Sequence, residues 1–348
     1  MATGDEISLG IAMAGRSFSI AVNDGRADEA LPMATALREM ADRIPCGPEI
    51  KGILLNSAAF TEFANGEFHS ALRVLAGILD RETACPEAEI ASALSLQGFL
   101  QICLGDAETG KRSLREGFEL SRSLHPVRFA AVQIYAAVLA ALGLVDAATL
   151  LDDARTAWLQ AESFGDICGI VIGRWAYGTV LLRTTGAYDH GVAALRSTRT
   201  AVDEHRLGTC GLTTLATDLA VDSARNGRPD EAIDSLRNTF GSALSGFPAL
   251  AGFSAEALVE LLIERGSPDD LAEATRVLLR WKGRHFVVPA LQLWPLRAQA
   301  LLARAEGDEG RCRDFACRYL RLCEQLNAEG RLDEARRLAT AGVRPGTR

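Results

Sequence analysis

A glycine-marked turn returns along this chain with a nearly fixed step. The turns read NDGRADEA, ANGEFHSA, LGDAETG, LGLVDAA, TTGAYDHG, RNGRPDEA, RGSPDD and EGDEGRC. Their glycines are Gly25, Gly66, Gly105, Gly143, Gly186, Gly227, Gly266 and Gly307, separated by 41, 39, 38, 43, 41, 39 and 41 residues. Eight corners with a mean step near 40 exclude one compact core of 348 residues. A regular period of this size is the signature of a solenoid, in which each unit is too small to bury its apolar face alone and must stack on its neighbours.

The segments between the turns read as helices. PEAEIASALSLQGFLQICL, residues 86 to 104, carries apolar residues at helical spacing and no internal turn signal. In GSPDDLAEA, Ser267 is suited to cap, Pro268 to the first helical position, and Asp269 and Asp270 to the positive end of the helix dipole. Each unit is therefore helix, tight turn, helix, loop. Five residues after each turn glycine stand Ala30, Ala71, Gly110, Ala148, Gly191, Ala232, Leu271 and Cys312, of which seven are small. Seven residues before it stand Phe18, Ala59, Gly98, Ala136, Thr179, Ala220, Val259 and Ala300, of which six are small. Small residues at matched places let two backbones approach closely where the helices cross.

This arrangement resembles the tetratricopeptide repeat family over roughly residues 8 to 327, with a step longer than the usual 34 residues. The longer step, and the lack of a proline closing each second helix, point toward the long repeats of bacterial regulators. The resemblance implies an all-α, right-handed α-solenoid of about eight helix-turn-helix repeats of about 40 residues. It would occupy residues 1–341 as a single domain, with GVRPGTR at 342–348 as a frayed tail. A further resemblance covers about residues 213 to 330. ATDLAVDSARNGRPDEAIDSLR, LVELLIERGSPDDLAEA and LQLWPLRAQALLARAEGDEGRCRDFACRYLRLCEQLNAEG look like the C-terminal helical region of actinobacterial multidomain regulators. In those proteins a nucleotide cyclase or a LuxR-type DNA-binding domain is joined to an ATPase and a helical tail. The resemblance implies a regulatory array, alone or as part of a larger polypeptide.

LGDAETGKRSL imitates a phosphate-binding loop, since Gly105, Gly110 and Lys111 fall at the Walker spacing. Arg112 stands where Ser or Thr would hold magnesium, and no strand precedes the loop. The repeat accounts for both glycines, as a turn and a crossing. A net charge of −8 argues against direct nucleic-acid binding, which draws most of its affinity from basic side chains. The longest uncharged run, FAAVQIYAAVLAALGLV, has 17 residues, short of the roughly 20 that span a bilayer. The N-terminus carries Asp5 and Glu6 and no long apolar run, so a cytoplasmic location is expected. The eight cysteines include no C-x-x-C pair, and reduced core thiols are expected. The histidines His69, His125, His190, His205 and His285 lack metal spacing, and surface or capping roles are expected. No G-x-S-x-G occurs. No catalytic residue, cofactor or metal is assigned.

The repeat family places inward-facing positions three, six, ten and thirteen residues before each turn glycine, and those offsets share one helical face. On that face stand Asn56, Phe60, Phe63, Phe99, Gln133, Arg183, Glu256, Glu260, Trp294, Arg297 and Arg304. The groove would begin aromatic, turn small in the middle and end charged. The expected function is a non-enzymatic scaffold of bacterial signalling or transcription that binds a protein or peptide segment. The alternatives are a sensor of a small apolar ligand, seated in the alanine-lined middle, and a recruited biosynthetic enzyme. Superhelical packing alone is the competing account of Phe60 and Phe99. The repeat register itself can be checked: Ala71→Leu should overpack a crossing and cost about 1–3 kcal/mol in urea denaturation, and a neutral result would break the alignment.

Overall fold

The computed structural model describes residues 4–23, 26–80, 85–207, 213–282 and 287–340, and among them it holds seventeen α-helices and no strand. The first half comprises α1 (Gly4–Phe18, continued by a π-helical turn at Ser19–Asn23), α2 (Ala27–Arg43), α3 (Pro48–Ala64), α4 (Phe68–Leu79), α5 (Glu87–Leu104), α6 (Ala107–Arg122), α7 (Pro126–Leu142) and α8 (Ala147–Phe164). The second half comprises α9 (Ile167–Leu182), α10 (Tyr188–Glu204), α11 (Thr213–Arg225), α12 (Pro229–Gly246), α13 (Ala251–Arg265), α14 (Pro268–Lys282), α15 (Leu293–Ala305), α16 (Glu309–Gln325) and α17 (Glu329–Thr340). Short 3-10 turns at Pro248–Leu250 and Pro289–Gln292 lead into α13 and α15. Each odd-numbered helix from α3 to α13 packs on the even-numbered helix after it and on the odd-numbered helix of the next repeat, as stacked helical pairs require, and α15 packs on α16. No helix among the described residues is long and apolar enough to cross a membrane.

The corners are where the sequence puts them. Gly66, Gly105, Gly143, Gly186, Gly227, Gly266 and Gly307 all have positive φ, between 72° and 102°. Any side chain there would force the strained left-handed conformation. Gly25, Cys210, His285 and the 342–348 tail lie outside the described residues. Except after Gly143, the residue following the glycine stands immediately before the second helix. Asp106 and Asp308 accept the Thr109 and Arg311 backbone N–H groups at 3.3 and 2.9 Å. Ser267 and Asp270 cap each other's backbone N–H at 3.1 Å each, a reciprocal capping box. His125 takes the capping place before α7, its Nδ1 accepting the Val127 N–H at 3.4 Å. His69 and His190 are exposed on α4 and α10.

Close crossing is most literal in the third repeat. A Cβ added to Gly98 would lie 2.6 Å from both the Gly110 carbonyl oxygen and the Leu114 amide nitrogen. Gly105 and Gly110 thus end one helix and seat the next, while Arg112 is exposed and Lys111 half-buried. Two crossings depart from the expected register. The turn after Gly143 is two residues longer than its counterparts, because the α8 cap is Asp146. That moves Ala148 onto the exposed side and puts Leu150 into the core. In the fifth repeat α9 ends at Leu182, short of its glycine, and Gly178 rather than Thr179 meets Gly191, a Cβ there falling 3.0 Å from the Gly178 carbonyl oxygen.

Neighbouring repeats are also tied by ion pairs that keep the period. Arg128–Glu89, Arg183–Asp218, Arg237–Glu273, Arg265–Asp230 and Arg297–Glu260 join residues 39, 35, 36, 35 and 37 positions apart. Trp175, wholly buried, donates its Nε1 hydrogen to Thr214 Oγ1 at 3.0 Å, 39 positions on. Tyr177 is half-buried and stacks on Trp158 at 5.2 Å. All seven described cysteines are free thiols. Burial pushes the Cys103 thiol above its ordinary range and Cys323 up to about 11.

The array does not stay open. Its two halves meet across the concave side: Phe247, after α12, packs on Phe60 and Phe63 of α3 at 6.1 and 5.2 Å. The Gly330 N–H at the start of α17 donates to the Gly143 carbonyl at 3.3 Å. The Arg331 Nε donates to the Leu142 carbonyl, 189 residues away, at 2.7 Å. Gly98→Ala should cost about 3 kcal/mol, the upper end for overpacking, because the colliding atoms are backbone. Gly165→Ala, with open space around its Cβ and a φ of 80°, should cost about 1 kcal/mol. Urea denaturation of the two variants checks the order.

Candidate functional site

The concave side divides into a filled aromatic end and an open polar end. At the first, Phe63 is the hub. Its ring lies 5.2 Å from Phe99, 5.4 Å from Phe68, 5.7 Å from Phe60 and 6.5 Å from Tyr135, mostly edge to face. Phe99 and Phe63 are 1% and 3% exposed, so these two rings form core rather than accessible surface, while Phe60 and Tyr135 are half-buried. Beside them, Asn56 is committed to Glu89, donating Nδ2 to its backbone oxygen at 3.1 Å and to Oε2 at 2.7 Å. Gln133 is fully buried on α7, and neither its amide oxygen nor its nitrogen has a hydrogen-bond partner. Trp294 is buried against Phe253 at 4.6 Å and Trp281 at 6.1 Å, over the bare backbone of Gly252. Arg304 is exposed in the last turn of α15.

At the polar end Arg183, Glu256, Glu260 and Arg297 line one cavity of about 530 Å³. They come from the C-terminal cap of α9 and from α13 and α15, which converge there. The last turn of α7 supplies Ala140 and Ala141, the corner after it Gly143, Val145 and Asp146, and the start of α17 Glu329, Gly330, Arg331 and Glu334. The cavity therefore sits at the seam where the fourth repeat meets the chain's last described helix.

Arg297 is the centre of the charge network. It donates Nε to Glu334 at 2.8 Å and Nη1 and Nη2 to Glu260 at 3.2 and 3.0 Å, with Glu256 at 3.6 Å. Burial opposes its charge, but the carboxylates of Glu256, Glu334 and Glu260 outweigh it and hold the pKa above the ordinary arginine value. Arg331 is governed likewise: burial opposes its charge, and Glu256 and Tyr319 overcome the penalty. Arg183 forks onto Asp218, both bonds 2.9 Å. The lining holds five carboxylates, of Asp146, Glu256, Glu260, Glu329 and Glu334, against three guanidinium groups. Its field favours a cationic occupant. Among the described residues no group of three or more His, Cys, Asp and Glu could hold a metal ion.

The sequence reading missed Arg331, Glu334 and the corner residues, because it stopped counting at Gly307. A signal was present. GRLDEA at 330–335 echoes GRADEA at 25–30 and GRPDEA at 227–232, marking one more helix start. Phe247, which closes the aromatic end, lies between helices and carries no offset from a turn glycine.

No protein-family model and no curated protein matches the chain. Among solved structures it is similar to the Rap protein complexed with Competence and Sporulation Factor, with 13% identity over 94% of this chain and 100% of that one and a TM-score of 0.59. It also matches the apo form of the quorum sensor NprR from B. thuringiensis, with 9% identity over 95% and 97% of the two chains and a TM-score of 0.47. The first likeness shows the fold, a tetratricopeptide-like helical array.

Removing the central guanidinium takes the partner of Glu260 and Glu334 and one of the two partners of Glu256. Arg297→Ala should cost about 3–5 kcal/mol in urea denaturation, the range for a broken buried pair. Arg297→Lys should recover part of it. A loss under about 1 kcal/mol would mean the network holds nothing together.

Proposed function

We propose that this chain is a helical-repeat regulatory scaffold that binds a protein or peptide segment at the polar end of its concave side. The observation that carries the reading is the cavity of about 530 Å³, lined by charged side chains from four separate helices. A structural core would fill such a space with apolar side chains, as the aromatic end of the same face does. A recognition site needs room, a few placed polar groups and walls that are already rigid. Ion pairs to neighbouring repeats fix those walls. The similar Rap protein holds a bound factor in its structure, which supports a binding role for this array. The likeness of residues 213 to 330 to regulator tails supports a place in bacterial signalling or transcription, without catalysis by this chain.

The aromatic residues enter this reading as the wall that closes the far end, and the excess of carboxylates selects for a segment with a positive end. The volume also suits a small metabolite, within the roughly 300–1,000 Å³ of small-ligand pockets. A peptide-display selection on the full chain separates the two. Segments should be enriched, and their binding should fall at least tenfold with Ala141→Trp, which fills the cavity, at unchanged helicity by circular dichroism. Selection that yields no segment, or segments indifferent to Ala141→Trp, overturns the proposal. A metabolite that raises Tm in that case transfers the cavity to a small-molecule sensor.

A further inference from the structure

Arg331 occupies a receptor assembled from three distant parts of the chain. Its Nε donates to the Leu142 carbonyl at 2.7 Å, Nη1 and Nη2 donate to Glu256 Oε1 and Oε2 at 3.1 and 3.3 Å, and Nη1 also reaches the Tyr319 hydroxyl at 3.4 Å. The Leu142 carbonyl belongs to the last turn of α7, where helix carbonyls lack intrahelical donors and the dipole is negative. Glu256 meets the fork end-on, Nη1 and Nη2 each taking one of its oxygens. A carboxylate, a carbonyl and a hydroxyl placed around the Nε, Nη1 and Nη2 donors match a guanidinium, and an ammonium cannot satisfy all three at once.

The present occupant comes from the chain's own last described helix. α17 leans on α16, and its start is held to the rest of the ring through Arg331 and through the Gly330 N–H on the Gly143 carbonyl at 3.3 Å. The Gly143 corner and the start of α17 both border the cavity. A segment in the cavity lies beside the same receptor, with Glu260, Glu329 and Glu334 around it.

We infer that Leu142, Glu256 and Tyr319 form a guanidinium site that Arg331 fills when the array is closed, and that an arginine-bearing peptide segment competes for this site and displaces α17. The inference rests on the peptide-binding reading of the cavity. Binding is then an exchange of one guanidinium for another, and it opens the seam. A tethered side chain competes at an effective concentration in the millimolar range. The entering segment therefore needs further contacts in the cavity to win.

The test uses the full chain and two probes, ethylguanidinium chloride and ethylammonium chloride, at about 10 mM and matched ionic strength. Arg331→Ala should melt below the wild type. Ethylguanidinium should raise its Tm by about 2 °C or more and shrink its radius of gyration in X-ray scattering. Ethylammonium should do neither, and adding Glu256→Gln should abolish the response. Equal effects of the two cations, or no response in folded Arg331→Ala, overturn the proposal. Should that variant fail to fold, the wild type decides. N-acetyl-argininamide should speed amide exchange across 329–340, and N-acetyl-lysinamide should not; indistinguishable exchange overturns the proposal. A segment that binds the cavity while exchange at 329–340 stays unchanged refutes displacement and leaves the peptide reading standing. The absence of any binding segment refutes that reading, while the chemical rescue of Arg331→Ala is scored separately.

Discussion

The structure depends on backbone meeting backbone. At seven described corners a glycine turns left-handed, and at most of them a small residue a few positions to either side lets the two helices touch. In the third repeat Gly98 and Gly110 leave so little space that no Cβ fits between them. Once the pair is this close, its orientation is set by the main chain rather than by side-chain choice, and successive pairs must stack with nearly the same rotation. The ion pairs one repeat apart then join units whose spacing is already determined. Each half-exposed pair contributes only about 0–1 kcal/mol, so they align repeats more than they hold them.

That constraint explains which parts of the molecule could be read from residues alone. A left-handed corner admits glycine almost exclusively, so seven described corners were marked in advance. The charged end was legible in part: Glu256, Glu260 and Arg297 share an offset pattern and line one cavity with Arg183 of an earlier repeat, whereas Arg304, at an equivalent offset, is not among its lining residues. The register slipped at Ala148 and Thr179 because turn length there differs by one or two residues, and a glycine count does not measure turn length. Closure of the ring was not legible. It depends on the accumulated rotation of many repeats, which no single repeat encodes, and on Phe247 and Gly330, which lie outside the periodic positions. The aromatic face looked like a groove for the same reason. Its covering residue is remote in sequence.

The two ends of the concave side show how one architecture separates packing from recognition. Phe60, Phe63, Phe99 and Tyr135 fill one end with rings packed on one another. At the other end, charged side chains would collapse the space only at the cost of leaving some of their number unpaired. Glu256 serves both Arg297 and Arg331, and Arg297 serves three carboxylates. Such shared pairing leaves the network short of positive charge and keeps the cavity open.

The seam also changes what the ends of the array mean. In an open solenoid, stability is a sum over nearest neighbours, and terminal units unravel first because each has only one neighbour. Here the contact between Gly330 and Gly143 gives the C-terminal helix a second neighbour far away in sequence. Cooperativity becomes circular: detaching this helix must break long-range bonds as well as local ones, and the fourth repeat, in the middle of the chain, is the one that feels it.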